Sequence, residues 1–397
     1  FKRREGEAIL RKLRNHVSLT LLCGGNEMQY YGEIPDSPML LNYGELVREL
    51  APGIPFHVSS PDLSRPGERG HGPWNWCEHA DYNRHFRLLA SELGCNGMPE
   101  YDSLRRFIPE SELKAGRGPA LNYHFYNRTN SHDLGIPVRE FAPANMEEFC
   151  RASMFAQADA AQYMMEHYRR LFPYASGCFF WQYNEPWPTC AWSLVDFYGV
   201  PKMALHALRR ANAPVLLSLV DASWRCSGGE LAAKWFITCD RPCAGTAKLS
   251  AMTVSGQPLF ERSVAGHWEI GTHELAVLKE PVPSGEVIAV FLELDGQPRN
   301  VRLYGSPDFG AALRLPRTEL TVRRSPGRVT VTNTGNAVAV HVRLDFPELP
   351  PKQLRLSDNY LVIGPGESRE VVTTEAADRE QLRITAWNSD EVHHAAL

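Results

Sequence analysis

Two glutamates in this chain each close a short apolar run. Glu27 ends Ser18-Leu19-Thr20-Leu21-Leu22-Cys23-Gly24-Gly25-Asn26-Glu27, and Glu92 ends Leu88-Leu89-Ala90-Ser91-Glu92. A run of this kind, stopped by glycines and a polar residue, reads as a buried strand ending at the rim of a sheet or barrel, where loops gather functional groups. A carboxylate placed there loses hydration, and the resulting pKa perturbation is what acid catalysis needs. A third run, Gly177-Cys178-Phe179-Phe180-Trp181, gives way to Gln182-Tyr183-Asn184-Glu185-Pro186-Trp187-Pro188. It brings an aromatic face, Trp181, and an amide, Asn184, to the same kind of rim. Two acids with aromatics suit a sugar. The plain alternative for a glutamate after Gly-Gly-Asn is a first-turn residue favoured by the helix dipole.

The elements that must position these residues alternate over residues 1–212. The pattern predicts a helix at 5–14, a strand at 17–23, a helix around 43–50 and a strand at 55–59. An irregular Gly/Pro/Trp-rich loop follows at 60–80, then the strand ending at Glu92, a long amphipathic helix over 145–171 and a strand at 177–181. This is βα alternation. The Met and aromatic stripe of the long helix (Met146, Phe149, Met154, Phe155, Tyr163, Met164) reads as core.

From Ala213 the period changes to two, as in Leu231, Ala233, Trp235, Ile237 and again in Ile288, Val290, Leu292, Leu294. A second set of short strands begins near Leu313, with Asn333-Thr334-Gly335-Asn336 as a turn signal between two of them. These are sandwich strands. The expected domains are 1–212, 213–310 and 311–397, an α/β part followed by two all-β immunoglobulin-like sandwiches.

At 397 residues the chain is too long for one core. Its net charge of −4 gives no electrostatic footprint for nucleic acid or an anionic membrane, and no stretch approaches the ~20 apolar residues of a membrane span. The opening at Phe1, which runs straight into a helix-like segment, reads as a segment cut from something longer or a processed product. Localisation is left undetermined. Nine cysteines without a Cys-x-x-Cys pair behave mostly as small buried hydrophobes, with a disulfide among Cys226, Cys239 and Cys243 as an open option. No metal is expected, because the fourteen histidines make no close pair with ligand spacing.

Three separated motifs resemble the β-mannosidases and their relatives in family 2 of the glycoside hydrolases. They are Leu22-Cys23-Gly24-Gly25-Asn26-Glu27, then Ala90-Ser91-Glu92-Leu93-Gly94-Cys95-Asn96-Gly97-Met98-Pro99 with Leu104-Arg105-Arg106-Phe107-Ile108-Pro109, and Phe180-Trp181-Gln182-Tyr183-Asn184-Glu185-Pro186-Trp187-Pro188 with Ala191-Trp192-Ser193-Leu194-Val195-Asp196. The resemblance implies the C-terminal portion of a (β/α)8 TIM barrel, about strands four to eight, followed by two immunoglobulin-like β-sandwiches. It implies a retaining exo-β-glycosidase acting on a β-linked oligosaccharide or glycoside without a cofactor, with Glu27 as general acid/base, Glu92 as nucleophile and Asn26 on the sugar's 2-hydroxyl.

By the same resemblance Trp181 matches the aromatic floor of the sugar site, with a core tryptophan as its alternative, while Glu185 is structural. The segment His71-Gly72-Pro73-Trp74-Asn75-Trp76 departs from the β-mannosidase pattern and is similar to the exo-β-glucosaminidases, which brings glucosamine in as a second sugar. His71, Trp74 and Trp76 are its candidate substrate contacts, and core packing of the tryptophans is the alternative. A chain holding only strands four to eight would leave sheet edges open. The expectation is therefore that a missing N-terminal half or self-association covers them, or that the fragment is inactive and its sandwiches serve as a binding or scaffold module.

Overall fold

The protein is described here from a computed structural model covering residues 2–28, 37–61, 69–114, 118–125, 141–226, 229–305 and 314–397. The start of the second sandwich at Leu313, and Gly67-Glu68 ahead of the His71 segment, lie outside the described residues. The chain divides into two compact units, taken separately below. One comprises Phe1–Gly72, Phe86–Leu93 and Tyr174–Phe179; the other comprises Pro73–His85, Gly94–Pro173 and Phe180–Leu397.

In the first unit the helices Lys2–Leu13 and Pro38–Leu50 bury Leu10, Leu46 and Val47 against Leu22, Tyr43, Leu50 and Phe56. That patch anchors a parallel pair, Leu22–Cys23 beside Phe56–His57. The strand expected at 17–23 is shorter because His16 and Leu19 donate back to Leu13 O and His16 O, turning the chain before Leu22. The parallel ladder continues past both strands as backbone bonds, Gly24 N to His57 O at 2.8 Å and Glu27 N to Ser60 O at 2.7 Å. A second sheet has the order Arg69–His71, Leu89–Leu93, Gly177–Phe180, with the first two parallel. The first of these strands falls inside the segment read as irregular loop. Among the described residues these are two separate ladders, so the expected barrel wall is not seen as one continuous sheet.

The second unit holds the long helix Met146–Arg170, capped by the Asn145 side chain accepting from Glu148 N at 2.9 Å, and most of its residues are buried. Its Gln157 donates to the carbonyls of Cys95, Trp192 and Ser193, tying three loop segments to the helix. The period-two segments form a three-stranded sheet in the order Gly271–Pro281, Glu230–Cys239, Val215–Asp221. A four-stranded sheet follows in the order Asn300–Tyr304, Ile288–Glu293, Cys243–Thr253, Pro258–Trp268. Trp235, Ile237, Leu249, Val290 and Tyr304 fill the space between them. A further three-stranded and a four-stranded sheet enclose Val331, Val342, Ile363, Val371 and Ile384. The turn after Asn333 is not a hairpin: Arg328–Asn333 and Ala339–Asp345 lie in different sheets. Cys226, Cys239 and Cys243 form no disulfide, although the Cys239 and Cys243 sulfurs lie 3.5 Å apart. Among the described residues no helix is long and apolar enough to cross a membrane.

A buried ionic network crosses this unit. His79 Nε2 lies 3.1 Å from Asp159 and its Nδ1 bonds Asp221, while Arg302 reaches Asp159 at 3.0 Å and Glu166 at 3.5 Å. Tyr163 stacks on the imidazole with ring centroids 3.9 Å apart, and Tyr304 donates to Asp221. Burial alone would lower the His79 pKa, but the charges of Asp221 and Asp159 outweigh it and push the pKa up to about 9. The stabilisation from a folded-state pKa raised above 6.5 is complete below pH 6.5 and is lost as pH rises through about 9. His79→Gln is expected to cost roughly 3–5 kcal/mol near pH 6, because two carboxylates lose their buried cation. Denaturant melts of both proteins should show this difference shrinking between pH 6.5 and 10; a gap that stays constant would refute the charge assignment.

Candidate active site

In the first unit five residues at or near strand ends converge: Glu27, Ser60, His71, Ser91 and Glu92. Gly24 lets the Glu27 strand approach its neighbour, since a Cβ there would meet Val58 O and Phe56 Cζ at 2.8 Å. Beyond it Glu27 sits at φ 54°, a left-handed conformation that costs a non-glycine residue about 1 kcal/mol or more. Such strain persists when the surroundings over-determine it, and here the Glu27 amide is held by Ser60 O. In the second ladder the register shifts between Gly70 and His71, so that His71 pairs with Glu92 and Ser91 becomes the extra residue. A bulge of this kind re-aims side chains. Ser91 and Glu92 thereby both approach groups around His71.

The His71 side chain is only 2% exposed, against 36% for Glu27 and 16% for Glu92. Its Nδ1 lies 3.0 Å from Glu27 Oε1 and 3.5 Å from Glu92 Oε2. Its Nε2 lies 3.0 Å from Ser60 Oγ, which donates to Ser91 Oγ, and Ser91 donates onward to Gly70 O at 3.3 Å. Burial, and then the charge of Glu27, push the Glu92 carboxyl up to about 7. Burial likewise lowers the His71 pKa, opposed by the hydrogen bond and charge of Glu27. Nearby, burial raises the Cys23 thiol, helped by the charge of Glu92, so it stays protonated at neutral pH. Glu27, His71 and Glu92 offer one donor atom each, all within 4.8 Å of one another, close enough to surround a cation. The 3.0 Å between Nδ1 and Glu27 Oε1 is a hydrogen-bond distance.

Of the residues singled out from the sequence, Asn26, Glu27, His71 and Glu92 belong to this first unit, with Asn26 exposed beside Glu27. Trp74, Trp76, Trp181 and Asn184 belong to the second. There Trp76 is a core residue: it is buried, donates Nε1–H to Asp159 at 3.2 Å and packs edge-on against Trp224. Trp74 meets Trp192 edge-on at 6.0 Å, Trp181 is half-buried and Asn184 is exposed. Gly94 passes so close to the Trp181 carbonyl that a Cβ would lie 2.5 Å from it. Glu185 is buried 3.9 Å from Lys202, a structural pairing. Ser60 and Ser91 were not singled out by sequence reasoning. The signal for Ser91 is its place just before Glu92; Ser60 carries none, because it reaches the site by pairing with a strand thirty-odd residues away.

Comparison with known proteins points to one group. A family model described as an immunoglobulin-fold domain, Ig_mannosidase, matches residues 313–389. β-Mannosidase A of Aspergillus niger is 22% identical, across 93% of this chain and 48% of its own length. β-Mannosidase B of Thermothelomyces thermophilus is 23% identical across 55% of this chain and 30% of its own length. The β-D-mannosidase of Dictyoglomus thermophilum superposes with TM-score 0.73 at 19% identity, covering 98% of this chain and 50% of that one. The exo-chitosanase of Amycolatopsis orientalis does so with TM-score 0.78 at 17% identity, covering 100% and 54%. The chain thus shares the fold of about half of each of these two solved structures, is similar in sequence to β-mannosidases, and matches the Ig_mannosidase model over residues 313–389. It spans half or less of the length of the curated relatives it matches.

Titration of the carboxyl pair is open to direct measurement. One proton should leave the pair with an apparent pKa near 7, a property of the pair and not of one residue. Glu27→Gln removes the charge that helps raise it, so the midpoint should fall while burial keeps it above the ordinary 4.5. Carboxyl-labelled NMR or difference infrared titration reads the shift; an unchanged midpoint would show that the two acids do not interact.

Proposed function

We propose that this chain carries the catalytic carboxyl pair of a retaining exo-β-glycosidase, with β-mannosides as the leading substrate. One observation carries the reading: a Glu27 and a Glu92 carboxylate oxygen lie within 4.8 Å of each other. Retaining enzymes need carboxyls about 5–5.5 Å apart, whereas inverting ones leave about 6.5–9.5 Å for a water. In the reading, Glu92 attacks the anomeric carbon as the glycosidic C–O bond breaks, and Glu27 gives its proton to the leaving oxygen. Water then attacks the glycosyl-enzyme, its proton passing to Glu27, and Glu92 departs as a carboxylate. Asn26, next to Glu27 in the chain, would hold the 2-hydroxyl. Trp76 is left out because it is buried and its N–H is taken by Asp159.

The proposal includes the domain scheme: 1–212 as part of a (β/α)8 barrel, 213–310 and 311–397 as immunoglobulin-like sandwiches. The parallel ladders ending at Glu27 and Glu92 support it. So does the fold shared with solved β-mannosidase and exo-chitosanase structures. A second reading, release of β-linked glucosamine, is favoured by the Gly72-Pro73-Trp74 segment and by the likeness to the exo-chitosanase structure.

Two experiments on the natural protein that contains this chain test the reading. Both Glu92→Ala and Glu27→Ala should lose at least 1,000-fold in kcat on unactivated β-glycosides, the order expected for essential groups. Azide should then give an inverted glycosyl azide with the first variant and a retained one with the second. The same product from both would overturn the roles. Among nitrophenyl glycosides the β-mannoside is expected to lead. A tenfold preference for β-glucosaminide, ~1.4 kcal/mol in transition-state binding, would establish the second reading instead.

A further inference from the structure

His71 is buried between the two acids, and its surroundings decide which of its nitrogens carries a proton. A serine hydroxyl has one proton to donate. Ser91 gives its proton to the Gly70 carbonyl, and Ser60 gives its own to Ser91. Toward His71, Ser60 Oγ is therefore an acceptor, so the imidazole partner 3.0 Å away, Nε2, is the protonated nitrogen. Burial lowers the His71 pKa, so the ring is neutral at pH 7 and turns a bare Nδ1 toward Glu27 Oε1 at 3.0 Å and Glu92 Oε2 at 3.5 Å. A bare nitrogen can only accept, and the nearer carboxyl must supply the proton. A hydrogen bond made by the protonated form of an acid stabilises that form.

Resting on the glycosidase reading above, we propose that the relay Gly70 carbonyl, Ser91, Ser60, His71 fixes the imidazole tautomer, so that Nδ1 holds Glu27 in its acid form and leaves Glu92 ionised for attack. His71 is thus a positioning residue, a role different from the substrate contact expected of it. The relay also settles how two similar carboxyls divide their work. Glu92 is the more buried of the two and would otherwise compete for the shared proton. The described titratable or charged groups near this cluster include the Cys23 thiol, which stays neutral, and Arg87, whose Nε would contact a Cβ on Gly70 at 3.0 Å.

Ser60→Ala removes the acceptor at Nε2 and frees the other tautomer, whose Nδ1–H would hold Glu27 ionised. In the natural protein, the basic limb of the kcat/KM profile should then move about one pH unit lower for substrates with poor leaving groups. Turnover of a dinitrophenyl glycoside, which needs no proton, should stay within about threefold. Ser60→Thr keeps a hydroxyl and should keep the limb; His71→Gln, which loses the Nδ1 contact, should shift it as Ser60→Ala does. An unmoved limb in Ser60→Ala, with both glutamates still essential, would overturn the relay and leave the glycosidase reading standing. Histidine 15N NMR reads the tautomer without any activity. Protonated Nε2 and bare Nδ1 on His71 are expected in the wild type; the reverse would overturn the proposal, even if no glycoside were ever turned over.

Discussion

Everything in the first unit turns on holding two carboxyls close together. Two ionised carboxylates ~5 Å apart repel by roughly 3 kcal/mol at an effective dielectric constant of ~20, and by less where water reaches Glu27. The fold meets this cost with structure around the pair. Strand ends deliver each acid from a separate parallel ladder, Glu27 itself adopts a left-handed conformation and a register shift aims Glu92. A buried imidazole lies within hydrogen-bond reach of Glu27 and close to Glu92. One shared proton then removes most of the repulsion. It also leaves one acid and one base, which is the division of labour that glycoside hydrolysis requires.

The second unit solves a related problem with opposite means. There a cation, His79, sits between Asp159 and Asp221, and Arg302 extends the network to Glu166. All of these charges are buried, so each depends on its partners, and the network joins the long helix to strands Val215–Asp221 and Asn300–Tyr304. The indole N–H of Trp76 is part of it. A tryptophan that looks free to meet a sugar in a Gly/Pro-rich segment is instead committed to a hydrogen bond with a buried carboxylate.

The sandwich strands were legible because alternation of apolar and polar residues directly records one buried face, as in Glu230–Cys239. The long helix was legible for the same reason at period 3.6, and Glu27 and Glu92 because each ends an apolar run. The short parallel strands were less so: Arg69–His71 has three residues and no apolar periodicity to distinguish it from loop. The place of His71 between the acids depends on a register shift that no local pattern announces. Ser60 and His79 meet their partners across 11 to 142 residues of chain, so only the folded structure shows them together. The turn at Asn333 was visible, but which sheet each flanking strand joins was not.

The central claim is that Glu92 forms a covalent bond to the sugar. A 2-deoxy-2-fluoro β-mannosyl fluoride slows both steps by destabilising the positive charge of the transition state, while fluoride remains a good leaving group. Incubated with the natural protein containing this chain, it should leave one fluorosugar per molecule, and peptide mapping by mass spectrometry should place it on Glu92. Attachment to Glu27 or to another residue, or steady turnover to product of inverted configuration with no label, would contradict the account.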